Sequence, residues 1–143
     1  MVRYPTMQTV GRSFINATAG IAAFVKPALS GSRAFKELND RHGHLAGDEA
    51  LQRFGQTLIA SLRKGDEAFR IGGDEFALML AEASEDDARG VVDRINAQPE
   101  GLRASFGVAS CPEHAADAQA LFRLADEALY EAKRNGSGLQ FVA

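Results

Sequence analysis

Two glycines followed by two carboxylates, Gly72-Gly73-Asp74-Glu75, are the residues best suited to chemistry in this chain. They lie between two apolar runs, residues 69–71 and 76–80, that have the composition of β-strands. Because only glycine adopts positive φ freely, the Gly-Gly pair predicts a tight β-hairpin. The missing side chains would let a ligand approach the backbone, and Asp74 and Glu75 offer oxygen ligands to a hard cation such as Mg²⁺. An ordinary polar hairpin is the alternative.

Three segments that would position this hairpin have helical periodicity. The first carries apolar residues at helical spacing from residue 51 to 62, with Asp48 as its predicted N-cap. The second is entered through the acidic segment 84–87 and presents Ala88, Val91, Val92 and Ile95. The third places an apolar stripe over residues 121–132 and is predicted to end at Gly136.

Strands are predicted at residues 67–71, 76–81, 102–109 and 139–142. Residues 21–25 are a further candidate, but Pro27 cannot donate to a ladder and argues against a central strand there. Helices that alternate with strands around a hairpin predict an α/β fold of the α+β sandwich type. Its central sheet is expected to be mixed, partly antiparallel and flanked by helices.

Length and charge limit the possible functions. The chain has 143 residues, enough for one domain with a real core, and a formal net charge of −3. This balance does not favour binding to duplex nucleic acid, although a small anionic nucleotide held by a metal ion is compatible with it. The single cysteine, Cys111, suits a reducing cytoplasm, and no apolar stretch is long enough to span a membrane.

Four separated motifs occur together in this chain: residues 35–48, residues 72–76, residues 105–109 and residues 125–133. In this order they resemble the GGDEF family, the diguanylate cyclases that join two GTP molecules into cyclic di-GMP. The resemblance implies a nucleotide-cyclase-like fold, with residues 35–143 as the GGDEF domain and residues 1–34 as a divergent N-terminal segment.

The resemblance assigns guanine recognition to Asn39 and Asp48. A carboxylate accepts the two donors of guanine, and an amide supplies both a donor and an acceptor. The alternatives are a turn residue for Asn39 and a helix cap for Asp48. Lys133 is expected at the triphosphate, where a cation offsets negative charge. The backbone around Phe35 and Lys36 matches the stretch that borders the phosphates.

The implied reaction is nucleotidyl transfer, in which the 3′-hydroxyl of one GTP attacks the α-phosphorus of a second. Gly72, Gly73, Asp74 and Glu75 would form the catalytic turn, with Asp74 as the carboxylate that binds Mg²⁺ or Mn²⁺. Because one domain holds one GTP, the resemblance implies an antiparallel homodimer with the reaction at its interface.

A second site is suggested by Arg63, Asp66 and Arg94. Arg63 and Asp66 have the spacing of the family's Arg-x-x-Asp inhibitory site, and Arg94 falls where an additional arginine of that site is usual. Arginine binds phosphate through two hydrogen bonds and stacks on guanine, so cyclic di-GMP is the expected ligand. The alternative is a solvated Arg/Asp pair at a helix end.

The chain departs from the family pattern before Ala34. The family carries Asp-x-Asp-x-Phe-Lys, but here Gly31 stands at the first, metal-binding aspartate and Arg33 at the second. One hypothesis is a shifted reading frame, since codons for residues 30–33 can be re-read as Leu-Asp-Leu-Asp. Two rival functions therefore accompany the cyclase: a receptor for cyclic di-GMP or GTP without turnover, and a regulatory domain that binds neither.

Overall fold

The structure is a computed structural model that describes residues 20–27, 37, 40, 41, 43–98, 103–111, 113, 114 and 117–142. Gly31, Phe35, Lys36 and Asn39 lie outside these residues. Within them the chain forms five strands and three helices. In chain order these are β1 (Gly20–Pro27), α1 (His44–Ala60), β2 (Glu67–Arg70), β3 (Phe76–Ala81), α2 (Glu85–Asn96), β4 (Ala104–Cys111), α3 (Ala118–Arg134) and β5 (Leu139–Phe141).

The strands form one mixed sheet in the order β2-β3-β1-β4-β5. β1 pairs antiparallel with both β3 and β4, β2 pairs antiparallel with β3, and β5 is parallel to β4. The parallel pair needs a long crossover, which α3 provides between β4 and β5. The predicted α/β architecture with a partly antiparallel sheet is confirmed.

The expectation that Pro27 argues against a central strand is wrong, because β1 is the middle strand of the sheet. The ladder between β1 and β3 ends at the pair Val25 and Phe76, two residues before Pro27. Pro27 is the last residue of β1 and has a register partner only on β4, at Ala104. A proline at a strand end leaves the ladder on the β3 side intact, so its missing N–H does not break the sheet.

The sheet buries both of its faces, which makes the fold a three-layer sandwich. Along β1, Ile21, Ala23 and Val25 pack with α1 and α2, whereas Ala22 and Phe24 pack with α3. This alternation follows from the two-residue period of a strand. It explains why β1 is apolar at every buried position, as is usual for a strand covered on both sides.

The helix ends agree with the sequence at two of the three helices. Ser84 caps α2 in a reciprocal pair of hydrogen bonds with Asp87, and Asp117 caps α3 by accepting from the Ala120 N–H. The helix α3 ends at Arg134, and Gly136 follows with a φ of 70°.

The predicted N-cap at Asp48 is wrong. Helix α1 begins four residues earlier, at His44, and Gly43 enters it with a φ of 84° and no side-chain cap. No capping side chain marks this helix start in the sequence, because glycine begins a helix through its backbone freedom alone. Asp48 therefore lies within the helix, so its carboxylate does not cap the helix N-terminus.

Helix α3 packs against β4 without an intervening side chain at Gly107. A Cβ at this position would lie 2.2 Å from both the Ala125 carbonyl oxygen and the Leu129 amide nitrogen. Glycine is therefore required by the closeness of helix and strand. This contact fixes the distance between the C-terminal half of α3 and the sheet. Among the described residues, no helix is both long and apolar enough to cross a lipid bilayer.

Candidate functional site

The Gly-Gly-Asp-Glu segment forms the turn between β2 and β3, which pair as an antiparallel hairpin. The backbone N–H groups of Ile71 and Gly72 donate to the carbonyl oxygen of Glu75, at 2.9 and 3.2 Å. This closes the turn and leaves Gly73 and Asp74 at its tip. The predicted hairpin is confirmed.

The prediction that the two glycines are needed for a positive φ is wrong. Neither Gly72 nor Gly73 has a positive φ. A Cβ at Gly73 would meet no atom within 4 Å, and one at Gly72 would meet only the Glu75 Cβ, at 3.6 Å. The fold itself would accept a side chain at both positions. What the glycines supply is open space against the backbone of the turn, which supports the expected close approach of a ligand.

Asp74 lies beside a cation that the sequence did not assign to the site. The Lys26 Nζ atom is 3.9 Å from the Asp74 Oδ2 atom, and the two side chains are 29% and 33% exposed. Lys26 follows Val25, whose register partner is Phe76, so the end of β1 runs alongside the end of the hairpin turn. The strand pairing therefore positions the ammonium group beside the Asp-Glu pair.

A cleft of about 450 Å³ opens between this end of the sheet and helix α3. Its charged lining consists of Lys26 and Glu75 on the sheet side and of Asp126, Lys133 and Arg134 on α3. The helical residues lie at spacings of seven and eight from Asp126, which puts them on nearly the same face of the helix. The cleft thus brings three cations to the acidic turn. Of the residues that the structure describes, Leu129 and Tyr130 also line it, and Tyr130 is 68% exposed.

Glu75 is the carboxyl group whose protonation the cleft alters. Burial raises the pKa of Glu75 above its ordinary value of 4.5, and the negative charges of Asp126 and Asp74 raise it further. Lys26 and Lys133 act in the opposite direction and lower it in part. Both lysines therefore lie within electrostatic range of the same carboxyl group, from opposite walls of the cleft.

The described residues do not fit the divalent metal ion that the family resemblance implies. No group of three or more histidine, cysteine, aspartate or glutamate side chains in the described part of the chain could hold a metal ion. Asp74 has the ammonium of Lys26 beside it, and the carboxyl of Glu75 is shifted towards its neutral form. A hard cation prefers several anionic oxygens and no neighbouring positive charge. Asp74 as a metal ligand remains a prediction.

Asp48 is connected to the hairpin through Arg70. The Arg70 Nη2 atom donates to the Asp48 Oδ1 atom at 3.2 Å, and the same guanidinium donates to the carbonyl oxygen of Gly73. Arg70 is nearly buried, with 10% of its side chain exposed, whereas Asp48 is half exposed. Asp48 is not among the described residues that line the cleft, but its carboxylate is connected to the Gly-Gly-Asp-Glu turn through one arginine. Its role in guanine recognition remains a prediction.

Arg63, Asp66 and Arg94 gather at the opposite end of β3. Asp66 accepts from the backbone N–H of Ala81 at 3.1 Å and from the N–H of Arg63 at 3.1 Å, and its side chain is only 1% exposed. The alternative of a solvated Arg/Asp pair is therefore wrong for Asp66. Arg63 donates to the Ala81 carbonyl at 3.0 Å, and Arg94 donates to that of Ser61 at 3.0 Å.

A small cavity of about 180 Å³ lies beside these arginines. Arg63 and Arg94 line it, together with Asp86 and Asp87 from the start of α2, while Asp66 does not. Two arginines suit a phosphate, but the two aspartates oppose it. Product binding here remains a prediction.

Sequence reasoning missed Lys26 and Arg70. Lys26 stands 48 positions before Asp74, so only the pairing of β1 with β3 brings them together. Arg70 is the last residue of β2, directly before the turn, and an arginine at that position was a visible signal for a contact with the turn backbone. The predicted residues Phe35, Lys36 and Asn39 lie outside the described residues.

This fold and the Gly-Gly-Asp-Glu turn define a class of nucleotide-cyclase-like domains, and comparison with family models shows which family the chain belongs to. A family model described as "Diguanylate cyclase, GGDEF domain" matches residues 29–138. The chain therefore belongs to the GGDEF domain family.

Curated relatives agree with this assignment. The chain is 40% identical over 114 residues to the diguanylate cyclase DosC of Escherichia coli (strain K12), which covers 71% of this chain and 25% of DosC. It is 41% identical over 124 residues to the diguanylate cyclase TpbB of Pseudomonas aeruginosa (strain UCBPP-PA14), which covers 78% of this chain and 28% of TpbB. The chain thus spans about a quarter of the length of these relatives.

A solved structure confirms the fold over nearly the whole chain. The crystal structure of the GGDEF domain of TpbB, also called YfiN, from Pseudomonas aeruginosa has a TM-score of 0.77 and 31% sequence identity. The match covers 98% of this chain and 97% of that domain. The active GGEEF domain of a diguanylate cyclase from Vibrio cholerae has a TM-score of 0.80 at 22% identity, which supports the fold alone.

Proposed function

We propose that this chain binds GTP in the cleft as a diguanylate cyclase domain and converts it slowly to cyclic di-GMP. The observation that carries the proposal is the meeting of the Gly-Gly-Asp-Glu turn with three cations, Lys26, Lys133 and Arg134, in one cleft. A nucleoside triphosphate is strongly anionic, and such a group of cations offsets its charge. Family membership and the curated cyclases support guanine as the base.

In the proposed reaction, the 3′-oxygen of one GTP forms a bond to the α-phosphorus of a second as pyrophosphate leaves, and the reciprocal transfer then closes the ring and releases a second pyrophosphate. The proton of the 3′-hydroxyl leaves to solvent or to a nearby carboxylate. Lys133 and Arg134 would hold the phosphates, while the open backbone at Gly72 and Gly73 would let the nucleotide approach the turn. Two copies of the chain, each with one GTP, would supply both halves of the product in an antiparallel homodimer.

The family implies that Mg²⁺ or Mn²⁺ assists this transfer, but the charges beside Asp74 oppose a divalent ion. We therefore expect slow turnover, because the Lys26 ammonium beside Asp74 opposes the binding of that ion. A single ammonium group does not stabilise the attacking and leaving oxygens together, as a pair of bound ions would. The reaction would take place in the cytoplasm, which the sequence favours.

The test is incubation of the full chain with GTP and Mg²⁺ or Mn²⁺, followed by chromatographic detection of cyclic di-GMP. Slow formation of product is expected, together with its loss in Lys133→Ala, which removes a cation from the cleft. The replacement of Arg123, an exposed residue that does not line the cleft, by alanine is the matched control. The absence of both product and GTP binding from the folded chain would contradict the proposal.

A receptor without turnover is the second candidate. The ion pair of Lys26 and Asp74 favours it, because a cation that neutralises Asp74 favours retention of a nucleotide over its conversion. The same role is possible for cyclic di-GMP beside Arg63 and Arg94. Calorimetric titration with each nucleotide separates the candidates: binding of either one without any product over long incubation favours the receptor.

A further inference from the structure

We propose that Lys26 acts as a built-in cation, so that the triphosphate of a nucleotide binds in this cleft without a divalent metal ion. The inference rests on the proposed binding of GTP in the cleft and adds a statement about how that binding is achieved. It follows because the described residues of the cleft do not fit the divalent metal ion that the family implies. The three observations that support it are the position of Lys26 on its strand, the charges of the cleft and the ion pair between Lys26 and Asp74.

Lys26 is held in place by strand pairing. Its register partner on β4 is Ser105, and the preceding residue, Val25, pairs with both Phe106 and Phe76. The backbone of Val25 is therefore anchored by two ladders and that of Lys26 by one. The strand thus holds the base of the lysine side chain beside the turn before any ligand binds, which lowers the cost of bringing its ammonium to an anion.

The cations face one another across the cleft. Lys26 extends from the sheet and Lys133 from α3, and both line the cleft. Arg134 is partly engaged, since its Nη2 atom lies 2.8 Å from a carboxylate oxygen of Glu131. Among the described residues, the two lysines are thus the main pair of positive charges that a polyphosphate entering the cleft would meet.

A divalent ion at Asp74 would have to share that carboxylate with the ammonium 3.9 Å away. A cation bound to Asp74 would lie close to this ammonium, and like charges repel one another where the partial burial of both side chains limits screening by water. Lys26 therefore opposes the binding of the ion. A phosphate group is repelled by the carboxylates of Asp74, Glu75 and Asp126, but it can accept a hydrogen bond from Lys26 while the ammonium remains near Asp74.

The test measures the affinity of the full chain for GTP by titration calorimetry, once with EDTA and once with excess Mg²⁺. We expect dissociation constants that agree within about twofold in the two buffers, because the cleft itself supplies the cations. Inorganic tripolyphosphate should compete with GTP in EDTA, which shows that the phosphates are recognised. Tighter binding by about tenfold or more in Mg²⁺ would overturn the inference.

Two substitutions sharpen this test. Lys26→Met keeps the length of the side chain but removes its charge, and it should weaken binding in EDTA by about tenfold, the usual scale for a lost charged contact. Lys26→Asp should weaken it further and make binding depend on Mg²⁺. Lys64→Asp, at an exposed lysine before β2 and at the other end of the hairpin, makes the same charge change as a control and should leave binding unaltered.

The possible failures are distinguishable. If wild-type chain binds GTP only with Mg²⁺, or if Lys26→Met binds as well as wild type in EDTA, then the inference is wrong while the proposed function stands. If the chain is folded by circular dichroism and binds GTP in neither buffer, the proposed function is wrong and the inference falls with it.

Discussion

At the scale of single residues, the decisive question is which position lacks the carboxylate that a cyclase would use. The sequence motif assigns it to Gly31, by counting back from Phe35 and Lys36. The structure places Lys26 beside Asp74, and Gly31 lies outside the described residues. The two positions are five residues apart, and substitution can separate them.

We predict that Lys26→Asp raises the rate of cyclic di-GMP formation with Mg²⁺ by about tenfold or more, since it removes the opposing charge and adds a second carboxylate. Gly31→Asp, the matched variant at the sequence-assigned position, should have a smaller effect. The rates are measured by chromatography at saturating GTP. If Gly31→Asp is the variant that gains activity, the motif has located the defect correctly and Lys26 has not.

Glu75 has a predictable effect on stability as the pH changes. Its pKa is raised in the folded protein, so folding becomes less favourable as the pH rises above the ordinary value of 4.5 and the carboxyl ionises. We therefore expect Glu75→Gln to have a higher Tm than wild type at neutral pH, with the difference disappearing below that value. Thermal denaturation across this pH range measures it. Glu127→Gln, at an exposed position on α3, is the control.

A lower Tm for Glu75→Gln at neutral pH would show that the ionised carboxylate stabilises the fold, contrary to its environment of buried surface and neighbouring acids. The expected result would instead identify Glu75 as a residue whose usefulness in the site comes at a cost in stability.

At the scale of helices and strands, the pattern of apolar residues is sufficient to predict the elements that have a clear apolar face or run. It predicted α2 and α3, and it predicted β3 with its observed bounds, Phe76–Ala81. It fails at β1, which contains a proline at its end, and at Gly43, where a helix begins without a capping side chain. The first error concerns strand pairing with distant neighbours, and the second concerns the backbone freedom of a glycine, which leaves no side-chain signal.

In the candidate site, too, local motifs predict some residues, whereas contacts between distant residues are missed. The turn and Lys133 were visible as local motifs, and the structure brings Lys133 to the cleft with Glu75. Lys26 was not visible, since nothing within a few positions of it indicates that β1 ends beside the turn. Contacts between residues far apart in the chain require the strand order, which local patterns do not supply.

Gly107 tests how closely α3 and β4 must pack. We predict that Gly107→Ala destabilises the protein by about 3 kcal/mol or more, at the upper end of the usual cost of overpacking, because the contacting atoms belong to backbone. Urea denaturation measures the free energy of unfolding. Gly90→Ala in α2, where a Cβ would have only an ordinary contact at 3.7 Å, is the control and should be neutral or stabilising. Equal effects of the two substitutions would contradict the packing described here.

At the scale of the whole molecule, the two candidate ligand sites lie at opposite ends of β3. The strand has six residues, so the Gly-Gly-Asp-Glu turn and the cavity beside Arg63 are separated by about 17 Å. A nucleotide at one site would not overlap one at the other. Any influence of product on the cleft would therefore have to pass through the hairpin that joins them.

The cleft of a single chain holds one half of the proposed reaction. We predict that cyclic di-GMP formation per chain rises with chain concentration until the homodimer predominates, because two GTP-loaded cleft surfaces must face each other. Initial rates measured over a hundredfold dilution series, with light scattering for mass, provide the test. Added Lys133→Ala chain should inhibit the wild type by forming mixed dimers. Activity per chain that is independent of concentration would contradict the prediction.

The bare contact at Gly107 has a mechanical consequence for the cleft. With backbone against backbone, α3 cannot slide or roll on the sheet without a collision, so the helix backbone that carries Lys133 and Tyr130 keeps its place. Gly72 and Gly73, by contrast, have free volume around them. Among the described walls of the cleft, the backbone of the turn is therefore the part that can adjust to the size of an incoming molecule.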